Sequence, residues 1–261
     1  MSTNHPTNIS SRQDAGRLLI LLTLFWIVQT GVQAREPVLD QVPELDEILA
    51  EHFESAAMEK MEKMETIVTT GTNIYSMGGI ESSFTIYQAR PGLIRVEGNF
   101  QGSEVIQTYN GEKGWIYAPG LGIPQPREVT GEELDNLLSQ AEFGSPLWKH
   151  REDGRHLELL DPGEETPDPR IRMITPDGDE VIFTLDAESY LIKKVTSRQV
   201  MGGTEAEVEV EMKDYKKVRG IPMSHYMVTR MNGDAVSTIQ IDKVSFNKKL
   251  DPSLFERPQV E

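Results

Sequence analysis

The side chains able to do chemistry are few and scattered along this 261-residue chain. Five histidines stand at positions 5, 52, 150, 156 and 225, and no two of them have metal-ligand spacing. His150 and His156 lie six residues apart around a turn, and all five read best as solvated or packed side chains. There is no cysteine, which excludes a thiolate nucleophile, a thiolate metal site and a disulfide framework. No serine sits in a G-x-S-x-G elbow, and no H-E-x-x-H occurs. The run "GEKG" at 111–114 is too short to cradle a phosphate and does not open a helix. "PDGDE" at 176–180 lacks the spacing of a calcium loop and reads as a hairpin turn. With 42 carboxylates on the chain, a pair at glycosidase distance can arise by chance and carries little weight. The sequence therefore assigns no catalytic residue, no metal site and no cofactor. A non-enzymatic protein is expected, and a secreted hydrolase is the least supported alternative.

The formal charge is −16, with acidic residues spread along the chain, and this argues against a nucleic-acid partner. The N-terminus reads as an export signal. A polar lead with Arg12 and Arg17 precedes the apolar run Leu18 to Val28, followed by "QTGVQA" with small residues at Val32 and Ala34. Cleavage after Ala34 is expected. An uncleaved anchor in the inner membrane is the alternative, although the run is shorter than the roughly 20 residues a spanning helix needs. Removal of 1–34 takes away two arginines and one aspartate, a net of +1, and leaves −17. With no cysteine at the cut no lipid anchor is expected there, and the periplasm is the expected location.

Residues 35–44 carry two prolines and no periodicity, and read as a linker to one domain over 45–258. Leu45, Ile48, Leu49, Phe53, Ala56 and Ala57 then form one helical stripe, with His52 inside it. Met58, Met61 and Met64 continue it, either as the same helix or as a short second one, and suit core packing or an adaptable apolar surface. From Glu65 the period becomes two. Strands alternate with Gly- or Asn-centred turns, the strongest being Asn110-Gly111. One helix interrupts, with Thr130 and Glu133 at capping-box spacing before Leu134, Leu137, Leu138 and Ala141. "DPGEETPDP" at 161–169 reads as an acidic loop. In "TIQIDKVSF" the apolar parity changes between Ile241 and Val244, which predicts a bulge near Asp242. The sum is mainly β, about ten or eleven antiparallel strands with two or three helices, in a sheet long enough that it must curl. Helices that merely lid such a sheet would leave an apolar cavity for an acyl chain.

The runs "YQARPGLIRVEG", "EVIQTYNGEKGWIYAPG" and "VSFNKKLDPSLFERP" resemble the LolA/LolB-like superfamily of bacterial lipoprotein-sorting proteins over roughly residues 60–258. The resemblance implies an unclosed antiparallel β-barrel, a half-barrel lidded by helices, around a hydrophobic cavity that shields acyl chains. It implies that Arg90 of the Arg90-Pro91 pair ties the lid helices down. It also implies that Ile94 and Val96 point into the cavity, with the third such position falling on Gly98. Alternation alone adds Phe84, Ile86, Ile106, Val208 and Val210, and Trp115 and Tyr117 share one parity that fits either face. The function so implied is a periplasmic carrier or binder of acyl chains of lipoproteins or lipids. It would act as a monomer between an inner-membrane donor and an outer-membrane acceptor. The alternative is a regulatory or interaction module of the same fold that senses lipid or misfolded envelope proteins.

Overall fold

A computed structural model describes residues 42–260, apart from 149, 153, 162–166, 177 and 202–203. The expected signal segment, residues 35–41 of the expected linker, and the centre of the acidic loop lie outside these residues. Helix α1 spans Val42–Ser55 and so begins within the range expected to be linker. Leu45, Ile48, Leu49 and Phe53 on its apolar stripe are buried or partly buried. Ala57 takes a left-handed conformation and breaks the helix, so the methionine row starts a separate short helix, α2, Met58–Met61.

The strands are β1 Thr66–Tyr75, β2 Ile80–Ala89, β3 Leu93–Phe100, β4 Ser103–Tyr109, β5 Gly114–Ala118, β6 Ile123–Val129, β7 His156–Leu160, β8 Arg170–Ile174, β9 Glu180–Leu185, β10 Ile192–Met201, β11 Thr204–Val218, β12 Ile221–Met231 and β13 Asp234–Phe246. They form one antiparallel sheet of order β6-β5-β4-β3-β2-β1-β13-β12-β11-β10-β9-β8-β7. Two meanders are thus zipped together where the first strand meets the last. The ends β6 and β7 do not pair, and the barrel stays unclosed. The sheet holds more strands than the ten or eleven expected. The alternating pattern missed β6, whose Pro124 and Pro126 cannot donate to a ladder and so fit only at an edge.

The expected bulge is present. Thr70 pairs with Lys243 and Gly71 with Ile241, which leaves Asp242 unopposed. The extra residue restores parity, so Ile239 and Ile241 before it and Val244 after it all face the same side. Helix α3, Glu132–Ala141, begins differently from the expected capping box. Gly131 is the N-cap and no side chain caps the helix. Glu133 instead takes two bonds of 2.8 Å from the Arg127 guanidinium on β6, a bidentate charged pair that outcompetes a neutral cap.

Three apolar clusters share the concave face. Helix α1 packs on β7–β10 through Leu49, Ile171 and Phe183. Helix α3 packs through Leu137 against Ile94, Ile116 and Val129 on the other half. Between them Met58 and Met61 of α2 cover Ile67, Val244 and Phe246 at one end of the central strands.

Candidate functional site

The concave wall is ordered in rows, because register aligns side chains across strands. One row runs Val244, Thr69, Ile86, Val96, Gln107. The next runs Ile241, Gly71, Phe84, Gly98, Val105. A third holds Met227, Ile239, Asn73 and Ser82, and a fourth Thr229, Ser237 and Tyr75. Between this wall and the helices lies a cavity of about 550 Å³. It is lined by members of all four rows together with Met58 and Met61. From Ile67 to Asn73 it follows six residue-to-residue steps of strand, about 20 Å. The charged residues in its lining are Asp135 on α3, Glu142 and Arg155 in the loops, and Asp179 in the β8–β9 turn, and His52 on α1 also lines it. A wider depression of about 1070 Å³ lies on the convex face of β9–β11. Its lining includes Lys194 and Glu209, paired at 2.6 Å, so it is a solvated charged groove and not a container for hydrocarbon.

Phe84, Ile86 and Val96 line the cavity, as does Gly98. Ile94 shares their face but is fully buried in the cluster under α3, outside the lining. Val208 and Val210 are buried on the concave face of β11, where the lining residues are Met212 and Tyr215. Ile106, Trp115 and Tyr117 lie on the opposite face. Gln107 is level with Val96 and Ile116, so Ile106 opposite Tyr117, and Thr108 opposite Trp115, must point outward. Their side of the sheet is covered in part by the C-terminal segment, where the short helical turn Pro252–Phe255 packs on β3 and β4 and the Leu254 carbonyl accepts from Arg95 at 3.1 Å. The residues of β4 that line the cavity are Val105 and Gln107.

The end of β2 anchors both lids. Gln88 donates to the Gln140 carbonyl in the last turn of α3 at 2.7 Å. Arg90, two residues on, donates through Nε to the Met64 carbonyl at 3.0 Å and through Nη2 to that of Met61 at 3.5 Å. Its guanidinium also lies 4.6 Å from the centre of the Phe143 ring, in the loop that follows α3. A single strand end therefore holds α2 and the α3 loop over the wall.

His52 forms a latch that sequence reasoning passed over. It is 1% exposed. Its Nδ1 lies 2.7 Å from the Tyr190 carbonyl, which can only accept, so Nδ1 carries the proton. Nε2 then accepts from the Ser145 hydroxyl at 2.7 Å, and Ser145 Oγ in turn accepts from the Leu147 N–H. A serine bonded to a histidine is the pairing of a nucleophile and its base, but here the Ser145 N–H is spent on Met58 Sδ at 3.4 Å and cannot also serve an oxyanion. The geometry is that of a clasp joining α1, the β9–β10 turn and the loop after α3. Burial pushes His52 below the ordinary imidazole range, and the bond to Tyr190 offsets part of this. The unfolded chain binds the proton more readily, so stability from neutral His52 is complete above about pH 6.5 and drains away as pH falls. Urea melts of the protein and of His52→Leu should differ most at about pH 8 and converge towards pH 5. A constant difference would mean that His52 is not held neutral.

No family model and no curated protein matches the sequence. Solved structures do match in fold. One is described as an outer membrane lipoprotein-sorting protein domain from Vibrio parahaemolyticus; at 12% identity it covers 80% of this chain and 94% of its own, with a TM-score of 0.54. A LolA superfamily protein from Nitrosomonas europaea is 11% identical over 77% of this chain and 98% of its own, TM-score 0.51. The chain has the LolA-superfamily fold. A DUF1329 family protein from Desulfovibrio piger aligns as well, 12% identical over 80% of this chain and 97% of its own, TM-score 0.53. At these identities it is the fold alone that is shared. Among the described residues no helix is long and apolar enough to cross a membrane.

Proposed function

We propose that this protein is a non-enzymatic carrier of acyl chains of lipoproteins or lipids, exported to the periplasm by its first 34 residues. The observation that carries this reading is the elongated cavity of about 550 Å³ between a largely apolar strand wall and two helical lids fastened at one strand end. Each methylene moved from water into such a space contributes roughly 0.8 kcal/mol, so a chain needs no charged partner to bind. Transfer would follow from affinity difference. The lids open on a donor, close over the chain and open again on an acceptor. Arg90 and Gln88 set the cost of opening, because their bonds end on lid backbone and break when the lids lift.

The test is extraction of the protein purified from its native envelope, with lipid identified by mass spectrometry. Copurifying acyl lipid is the expected result. Arg90→Leu should retain distinctly less through the same washes, because two hydrogen bonds and a stacked cation no longer hold the lid. A lipid-free protein that also fails to take up an added acyl probe would overturn the carrier reading.

A further inference from the structure

The cavity wall changes character along its length. The two rows nearer α2 are apolar except for Thr69 and Gln107. The two rows beyond them bring Asn73, Ser82, Thr229 and Ser237 together on four adjoining strands, with 6%, 1%, 3% and 2% exposure. Asn73 and Ser82 stand directly opposite each other on β1 and β2. Nevertheless Asn73 Oδ1 and Ser82 Oγ have no hydrogen-bond partner among the described residues. Each such buried atom, left alone, has given up its hydrogen bonds to water without replacement. Next to them Gly98 leaves room, since a Cβ built there would stop 3.9 Å from Ser82 Oγ and meet nothing closer than the Ser83 carbonyl at 3.6 Å.

We propose that this end of the cavity is a subsite for an uncharged hydrogen-bonding group on the cargo, a hydroxyl or ester, inserted ahead of its hydrocarbon. The inference rests on the carrier reading and narrows its cargo to lipids whose buried end is polar but neutral. Asparagine, serine and threonine each offer a donor and an acceptor, which matches a hydroxyl or a glycerol ester. A free carboxylate does not match. The charged residues lining the cavity are on α3, the loops and the β8–β9 turn, and none is on β1, β2, β12 or β13. An ionised acid at this end would be buried without a counter-charge, at a cost that exceeds its hydrogen bonds.

The experiment uses the protein without residues 1–34 and three probes of equal chain length: hexadecanol, glycerol monopalmitate and palmitate. Each competes with a fluorescent acyl probe at about pH 8, where palmitate is ionised. The alcohol and the ester should displace the probe at concentrations about tenfold lower than palmitate, the worth of one good buried hydrogen bond. Ser82→Ala, which changes shape little, should shrink that gap, and Asn73→Leu with Ser82→Ala should erase it while the chains still bind. Equal competition by all three probes, or an undiminished gap in both variants, would overturn the subsite and leave the carrier reading standing, with water as the partner of these atoms. Failure of every probe to bind would overturn both.

Discussion

Gly98→Leu is expected to abolish most acyl-chain binding while the protein stays folded. Gly98 lines the cavity at mid-wall, on a backbone that any residue can adopt, and its nearest neighbours leave a Cβ in ordinary van der Waals contact. The isobutyl group must then extend into the space a chain would occupy. Displacing even three methylenes of cargo forfeits about 2.4 kcal/mol at 0.8 kcal/mol each. That corresponds to roughly a fiftyfold weaker dissociation constant. Titration with a fluorescent acyl probe reads the loss, and the thermal midpoint should hold or rise because apolar surface is added to a gap. Affinity within threefold of the unmodified protein would place the cargo elsewhere.

Gly71→Ala, in the same row, is expected to do the reverse and damage the fold itself. A Cβ at position 71 would lie 2.3 Å from the Gln240 carbonyl oxygen and 2.8 Å from Cζ of Phe84. The ring can turn aside. The carbonyl cannot, because it belongs to β13 beside the bulge at Asp242, where β1 and β13 zip the two meanders together. Relief requires parting the ladder at the centre of the sheet, and about 3 kcal/mol of destabilisation follows, at the upper end of the range for overpacking. A lowered urea midpoint with unchanged slope would show it. A loss below about 1 kcal/mol would mean that the bulge yields easily. The two glycines flank one phenylalanine, and opposite outcomes at them separate space kept for cargo from space closed by packing.

Local pattern was legible where one face of a strand was wet and the other dry. The parity change in "TIQIDKVSF" located the bulge at Asp242, and Asn110-Gly111 located its hairpin. It failed where both faces are covered. In "EVIQTY" Val105 and Ile106 are adjacent and both buried, one by the cavity wall and one on the convex side that the C-terminal turn partly covers. Alternation could not say which faced inward, and Trp115 and Tyr117 carried the same ambiguity. The polar rows were invisible for a related reason. A polar residue such as Asn73 or Ser82 gives alternation no inward signal, and only register across four strands places both inside. His52 was seen in the helical stripe, but its partners at 145 and 190 lie some hundred residues away.

The sheet that β6 and β7 leave unclosed has a mechanical consequence. A closed barrel has a circumference fixed by its strand number and shear, and widening it means breaking hydrogen bonds. A sheet with two free margins can tighten or relax its curl by small twists shared among thirteen strands, with every ladder intact. The prolines of β6 keep one of those margins from being captured by another strand. The sheet can therefore give without losing a ladder, and the bonds from Gln88 and Arg90 to the lid backbone limit how far it does.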